Sequence, residues 1–280
     1  MQLPVRRGMR VLEIGCGTGG RARELAHFSD VKVVGVDADS SDIELARICT
    51  ENAQLSHRVS FTQGMYSVLC IPRLVFHRMP ASMETLCAVF EDNTFDAVFS
   101  VESITNSAHF DVICSQVRRI LKPGGKFAFY RWCMSDTWDA ARMDHRQIYQ
   151  QLGEAIFSHG QPLRVQSIEN TNAALGLAGF SLCHSEDLAR RIDDVPWYHT
   201  LEELEHGHLD EALSWAWWNE GPDAGPATQA QARNQSLDFA IRTILKAGRL
   251  GLLTPMALFV VQKNSDIQPL SHAAMSNGRE

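Results

Sequence analysis

Glu13-Ile14-Gly15-Cys16-Gly17-Thr18-Gly19-Gly20 sits between an apolar run, Met9 to Ile14, and a pattern from Arg21 to Phe28 with Leu25, Ala26 and Phe28 at helical spacing. A strand that passes through so glycine-dense a turn into a helix lets backbone and ligand approach closely, because no Cβ stands between them. Twenty residues past Gly17, a second β-branched run ends in Val36-Asp37, whose carboxylate is able to accept both hydroxyls of a ribose. Gly15, Gly17 and Gly20 also satisfy G-x-G-x-x-G, so a dinucleotide-binding turn is the first alternative.

The alternation continues along the chain. Val31 to Val36 predicts a strand, and Ser40 or Ser41 can cap a helix reaching about Ala53 with Ile43, Ala46 and Ile48 inward. Arg58 to Thr62 and Phe95 to Val101 read as further strands. Asp111 to Leu121 reads as a helix stopped by Lys122-Pro123-Gly124-Gly125, and Lys126 to Trp132 as a fifth strand. Strands alternating with helices predict a parallel sheet covered on both faces. Further on, helical stretches run near Asp144 to Ile156 and Thr171 to Ala178, with strands at Phe180 to His184 and Met256 to Gln262. Asp193 to Pro226, rich in Trp, His and Glu, reads as an inserted cap. Residues 68–91, with Pro72, Phe76 and Pro80, read as an irregular insertion, and the chain from Asn264 as a polar tail.

Composition removes whole classes. With 26 Lys and Arg against 33 Asp and Glu, a net charge of −7 and no basic stripe, the electrostatic footprint of a nucleic-acid binder is missing. Seven single cysteines without a C-x-x-C pair fit reduced thiols, and hence the cytoplasm, with contact to the endoplasmic reticulum surface left open. The most apolar stretch, Leu250 to Val261, is broken by Thr254 and Pro255 and is well short of the ~20 residues a membrane-spanning helix needs, so no transmembrane span is expected.

Two features turn the cofactor reading away from a dinucleotide. Glu13, two residues before the first glycine, is awkward beside a pyrophosphate but suits the positive methionine end of S-adenosylmethionine, and Lys122-Pro123-Gly124-Gly125 precedes the fifth strand as in methyltransferases. From Gly8 to about Lys263 the chain resembles the sterol 24-C-methyltransferase family and its bacterial and fungal terpenoid C-methylating relatives. Broadly shared matches are the glycine turn, Asp92-Asn93-Thr94-Phe95-Asp96-Ala97-Val98, Glu102 and Leu121-Lys122-Pro123-Gly124-Gly125. Narrower ones are Tyr130-Arg131-Trp132-Cys133-Met134-Ser135-Asp136, Glu186-Asp187-Leu188-Ala189, Pro196-Trp197-Tyr198 and Thr254-Pro255-Met256. The resemblance implies a class I methyltransferase fold over residues 1–263: a doubly wound, mostly parallel seven-stranded sheet with a helical cap insertion at 193–226.

It also implies transfer of methyl to an isolated alkene of a sterol or related terpenoid side chain. An alkene is a weak nucleophile, so the reaction needs alignment in a dry pocket and leaves a carbocation, which aromatic faces stabilise without capturing. Tyr130 and Trp132, two apart on one strand and so on one face, are the leading aromatic candidates, with Trp138, Trp197 and Tyr198 behind them. Glu102 would contact the cofactor or act near the cation, while Glu13, Gly15, Cys16, Gly17, Thr18, Gly19 and Asp37 would hold the cofactor. His109, Asp136 and His145 are weaker proton acceptors. Trp215, Trp217 and Trp218 pack the cap or face a greasy substrate, and His206 and His208 read as exposed, since the chemistry needs no metal. The expected partner is a hydrophobic small molecule, with peripheral membrane contact open. Another natural-product acceptor, a non-catalytic cofactor-binding homologue and a nicotinamide enzyme remain as alternatives.

The chain departs from the family in particular places. Met65 stands where an acid usually holds the adenine amino group, Arg131 replaces a Glu between Tyr130 and Trp132, and Asn106 replaces a His. Arg131 is awkward beside a carbocation unless its side chain points away or binds an anionic group. The family carries an N-terminal helical region that helps close the pocket, whereas about eight residues precede the glycine strand here. Joining Ser67 to Ala88 would restore a family-like link, so the stretch between them is expected to be a lineage-specific loop or translated intron sequence.

Overall fold

A computed structural model describes residues 3–64, 90–104, 110–155, 157–158, 161–162, 165–191, 195–206 and 227–264. In chain order, β1 (Arg10–Ile14), α1 (Gly20–Ser29), β2 (Lys32–Asp37), α2 (Ser40–Asn52) and β3 (Val59–Gln63) build one half of the sheet. β4 (Phe95–Val101), α3 (Phe110–Ile120) and β5 (Leu121–Met134) extend it the other way. There follow α4 (Met143–Ala155), a small hairpin of β6 (Phe157–Ser158) and β7 (Gln161–Pro162), β8 (Gln166–Ser167), α5 (Ile168–Leu177) and β9 (Phe180–Asp187). The last elements are α6 (His199–His206), α7 (Ala227–Arg249) and β10 (Leu253–Lys263).

The main sheet runs β3-β2-β1-β4-β5-β10-β9, with the two-residue β8 pairing the end of β5. β1, β2, β3, β4 and β5 are mutually parallel, and β10 lies antiparallel between β5 and β9. This is the doubly wound, mostly parallel sheet that the alternation predicts. The β-branched and aliphatic run of β1 suits its place: Val11, Leu12, Glu13 and Ile14 are all buried, as a central strand covered on both faces requires. α3 buries Phe110, Ile113, Cys114, Val117 and Ile120, a 3.6-residue stripe, against Phe127 and Phe129 of β5 and Phe259 of β10. On the opposite face Ala22 and Ala26 of α1 and Ile43 and Ala46 of α2 pack on Val11, Val33, Phe99 and Ala128. A third cluster joins Met134 to α4 and α7 through Ile148, Leu152, Ala240, Ile244 and Leu252, with Trp197 and Leu201 packed against it.

Several local expectations are corrected. Ile48 is half exposed because it lies five residues from Ile43, about 140° round the helix; Thr50 is the buried position instead. Asp39, rather than Ser40 or Ser41, caps α2, accepting from the Ser41 and Asp42 amides at 2.7 and 3.2 Å. Lys122-Pro123-Gly124-Gly125 does not precede the fifth strand but lies within it: β5 starts at Leu121, and the turn shifts the β4 register between Phe95 and Ala97. Gly124 makes this possible at φ 75°. The sequence pattern does not mark the 23-residue α7, whose first half, Ala227 to Ser236, carries no large apolar residue; among its described side chains the buried ones lie from Ala240 to Ala247. Of the expected insertion only Phe90 and Glu91 are described, and Met65, Asn106, His109, His208, Trp215, Trp217 and Trp218 also lie outside the described residues.

Candidate active site

Strand order reverses between β1 and β4, which are parallel, hydrogen-bonded neighbours although α1, β2, α2 and β3 lie between them in sequence. Crevices at the carboxyl ends of such a pair are where open α/β sheets bind ligands. Here the edge presents Gly15 after β1 and Glu102 after β4. Ser100 Oγ donates to the Ile14 carbonyl at 3.0 Å and ties the two strand ends together.

The glycine turn is shaped by contact. A Cβ on Gly15 would lie 1.9 Å from Ser103 Oγ and 2.1 Å from its Cβ, and Gly15 has φ 71°. Gly19, at φ 74°, lies so close to Phe61 of β3 that a Cβ would stand 2.4 Å from the ring. The loop is pinned to β2 as well. The Gly15 and Cys16 amides donate to the Val36 carbonyl at 2.8 and 3.1 Å, and the Gly17 amide donates to Asp37 Oδ2 at 2.8 Å. Asp37 Oδ1 accepts from the Asp39 amide at 3.1 Å, so this carboxylate holds the loop while each oxygen keeps a lone pair for another donor. Thr18 is exposed at the crest of the turn. Cys16 is buried, its carbonyl accepts from the Gly19 amide at 2.9 Å, and burial with Glu13 and Asp37 nearby pushes its thiol up to about 12. It braces the turn from within and is no nucleophile.

Beneath the turn, Glu13 is fully buried. Its Oε1 accepts from Arg21 Nε at 2.9 Å, while Oε2 has no hydrogen-bond partner among the described residues. Desolvation carries its pKa up to about 7 against the opposing pull of Arg21. A buried carboxylate with an oxygen left over is matched by a cationic donor, which is what the methionine end of S-adenosylmethionine presents. The residues present therefore fit the cofactor that the sequence implies. Glu102, half-buried, adopts φ 62°, a left-handed backbone that a non-glycine residue holds only when its surroundings impose it. Burial raises its pKa and Arg21 opposes the shift, so Arg21 stands in the field of both acids. Sequence reasoning passed over Arg21 and Ser103. A cation in the first turn of a helix opposes the helix dipole, and that was the available signal for Arg21.

The aromatic candidates divide. Tyr130 packs on the α1/α2 face beside Val101 and Leu188, near Arg191 and Glu186. Trp132, on the same face of β5, joins Trp138, Tyr149 and Trp197 around the third cluster. Gly248 of α7 lets the Trp197–Tyr198 pair lie against the helix, for a Cβ there would come within 2.7 Å of Tyr198 and 2.9 Å of Trp197. Arg131 points the other way, with its guanidinium 4.3 Å from the centre of the Phe110 ring, buried beneath α3. The narrow motifs meet at this end of the sheet. Thr254 Oγ1 donates to Asp187 Oδ1 at 2.5 Å, Arg190 Nη1 donates to Asp136 Oδ2 at 2.7 Å, and Ser135 and Thr137 hydroxyls both donate to the Gly251 carbonyl. Asp187, Arg190, Trp197, Tyr198, Gly251 and Thr254 line a cleft of about 140 Å³. Asp136 is thus ion-paired, and His145 is spent structurally, its Nδ1 accepting from the Asp139 amide at 3.0 Å. Among the described residues no group of His, Cys, Asp or Glu could hold a metal ion, and no helix is long and apolar enough to cross a membrane.

Residues 12–129 match the family model of a methyltransferase domain. The sterol 24-C-methyltransferase erg6 of Aspergillus fumigatus is 32% identical over 94% of this chain and 67% of its own length. Sterol 24-C-methyltransferase ERG6 of Saccharomyces cerevisiae is 29% identical over 96% of this chain and 68% of its own. A geranyl diphosphate methyltransferase solved with SAM superposes with a TM-score of 0.59 at 15% identity, covering 93% of this chain and 80% of its own. The [4+2]-cyclase SpnF superposes with a TM-score of 0.62 at 19% identity, covering 94% of this chain and 78% of its own. A cyclase on the same fold means that the architecture alone does not carry the reaction.

Proposed function

The chain belongs to the sterol 24-C-methyltransferase family, and from that membership we propose that it is an S-adenosylmethionine-dependent C-methyltransferase acting on an alkene of a sterol or related terpenoid side chain. The observation that carries the reading is the buried Glu13 with its unpartnered oxygen beneath a glycine turn at the switch point of the sheet. When bound, the cofactor supplies an electrophilic methyl group on a sulfonium. Glu13 would hold its ammonium, Asp37 its ribose hydroxyls, and the backbone of Gly15, Gly17, Thr18 and Gly19 would lie along it, with Cys16 bracing the turn.

On the acceptor side, Tyr130 and Trp132 offer aromatic faces beside the end of β4, where a cation formed on the acceptor gains from ring electrons and meets no nucleophile. Glu102 is the acid best suited to take up the proton that ends the reaction, because its burial raises its affinity for one. The Trp132, Trp138 and Trp197 cluster supports an apolar acceptor kept from water. Membrane-surface contact would bring such an acceptor to the enzyme and belongs to the same reading. Incubation with S-adenosylmethionine and a panel of sterols and prenylated metabolites, followed by mass spectrometry, is expected to show acceptors heavier by one methylene and no product with Gly17→Arg. Cofactor binding without methylation of any sterol or terpenoid would move the acceptor to another class.

A further inference from the structure

We propose that Arg21 binds the carboxylate of the cofactor's amino-acid end and forms, with Glu13, a two-signed clamp for its zwitterion. The inference rests on the cofactor reading above and extends it to a residue that neither the motif nor the glycine turn identifies. The guanidinium is fixed by two bonds, Nε to Glu13 Oε1 at 2.9 Å and Nη2 to the Gly15 carbonyl at 3.2 Å. These place it at the carboxyl end of β1, beside the turn. Its Nη1 carries no hydrogen bond among the described residues, and its side chain is 47% exposed while that of Glu13 is 0% exposed. Among the described residues the pair thus offers one unmet acceptor, Glu13 Oε2, and one unmet cationic donor, Arg21 Nη1.

A ligand with only an ammonium would satisfy the acid and leave the Arg unanswered. One with only a carboxylate would do the reverse. A free α-amino acid group, ammonium and carboxylate on one carbon, answers both charges at once. The first turn of α1 adds its amide groups and its positive dipole end to the side that would receive the carboxylate.

Calorimetric titration with S-adenosylhomocysteine and with its decarboxylated analogue, S-adenosyl-3-thiopropylamine, tests this. Arg21→Gln is expected to weaken S-adenosylhomocysteine by about 10- to 100-fold and leave the decarboxylated analogue within about twofold, with Arg21→Lys between. Glu13→Gln is expected to weaken both ligands, since both carry the ammonium. Unchanged binding of the analogue also reports that the Arg21 variants are folded. Equal loss of both ligands in Arg21→Gln, or loss of neither, overturns the clamp while leaving the cofactor reading standing. Failure of the unsubstituted chain to bind either ligand overturns the cofactor reading and the clamp with it.

Discussion

Around the glycine turn, Glu13, Gly15, Arg21 and Asp37 come from one βαβ unit, and their positions follow from backbone contacts: Gly15 under Ser103, Gly19 against Phe61, Gly17 on Asp37. At the other end of the same sheet edge, Trp132, Trp138, Trp197 and Leu252 reach a common cluster from β5, the loop after it, the segment before α6 and the residue before β10. The first region tolerates little because a methyl group has nowhere to go. The second is held by side chains that can repack around a different acceptor. The departure from the family that the structure describes, Arg131, falls on the strand serving the second region. It is accommodated by turning to the α3 face, away from Tyr130 and Trp132.

That contrast can be broken by substitution. The largest effect is expected from Gly15→Val, which must displace Ser103 and strain a backbone at φ 71°. Calorimetry should show more than about a hundredfold loss of S-adenosylhomocysteine affinity, and melting a destabilisation of about 3 kcal/mol. Retained affinity would mean that the turn is not what sets the cofactor end. Next comes Arg131→Glu, which restores the family residue but places a carboxylate against the face of Phe110. Denaturant unfolding should register a loss of about 3–5 kcal/mol. A stable variant with changed acceptor preference would instead put position 131 in the acceptor site.

Trp132→Leu sharpens the division from the acceptor side. Turnover is expected to fall about 10- to 100-fold while S-adenosylhomocysteine affinity stays within about twofold; a matching loss of cofactor affinity would show the two regions to be coupled. The mildest effect is that of pH. With Glu13 raised to about 7, its protonated form cannot hold an ammonium, so S-adenosylhomocysteine affinity should climb by up to about tenfold per pH unit below 7 and level off above it. For the unliganded fold the sign is opposite. The unfolded carboxyl ionises near its ordinary value of 4.5, so stability declines as pH rises from there and levels off past about 7. Glu13→Gln should flatten both profiles, and a slope that survives in it would assign the proton elsewhere.

The sheet order was legible because the alternation of β-branched runs with helical spacing reports strand and helix directly, and Phe95–Val101 appears in the fold with those bounds. Glu13 was legible from its distance to Gly15. Its unmet oxygen was not, since hydrogen-bond satisfaction depends on where Arg21 folds back. α7 is not legible because half of it is polar and its partner in the core, α4, lies far away in sequence. Asp39 displaced Ser40 as the cap because both residue types accept the same bond and only the entering backbone chooses between them.

The amino-acid sequence by itself determined a glycine turn between strand and helix, an acid two residues before it, an acid at the end of the next strand and a set of aromatic motifs without mutual order. These are local facts, written at fixed spacings along a chain whose periodicity is set by its own backbone. Which groups face one another was decided by the tertiary structure alone: Ser103 over Gly15, Arg21 on Glu13, Thr254 on Asp187, and Arg131 on the opposite face from its neighbours. Such pairings join residues from separate strands and helices, and their partners exist only once the sheet has closed around them.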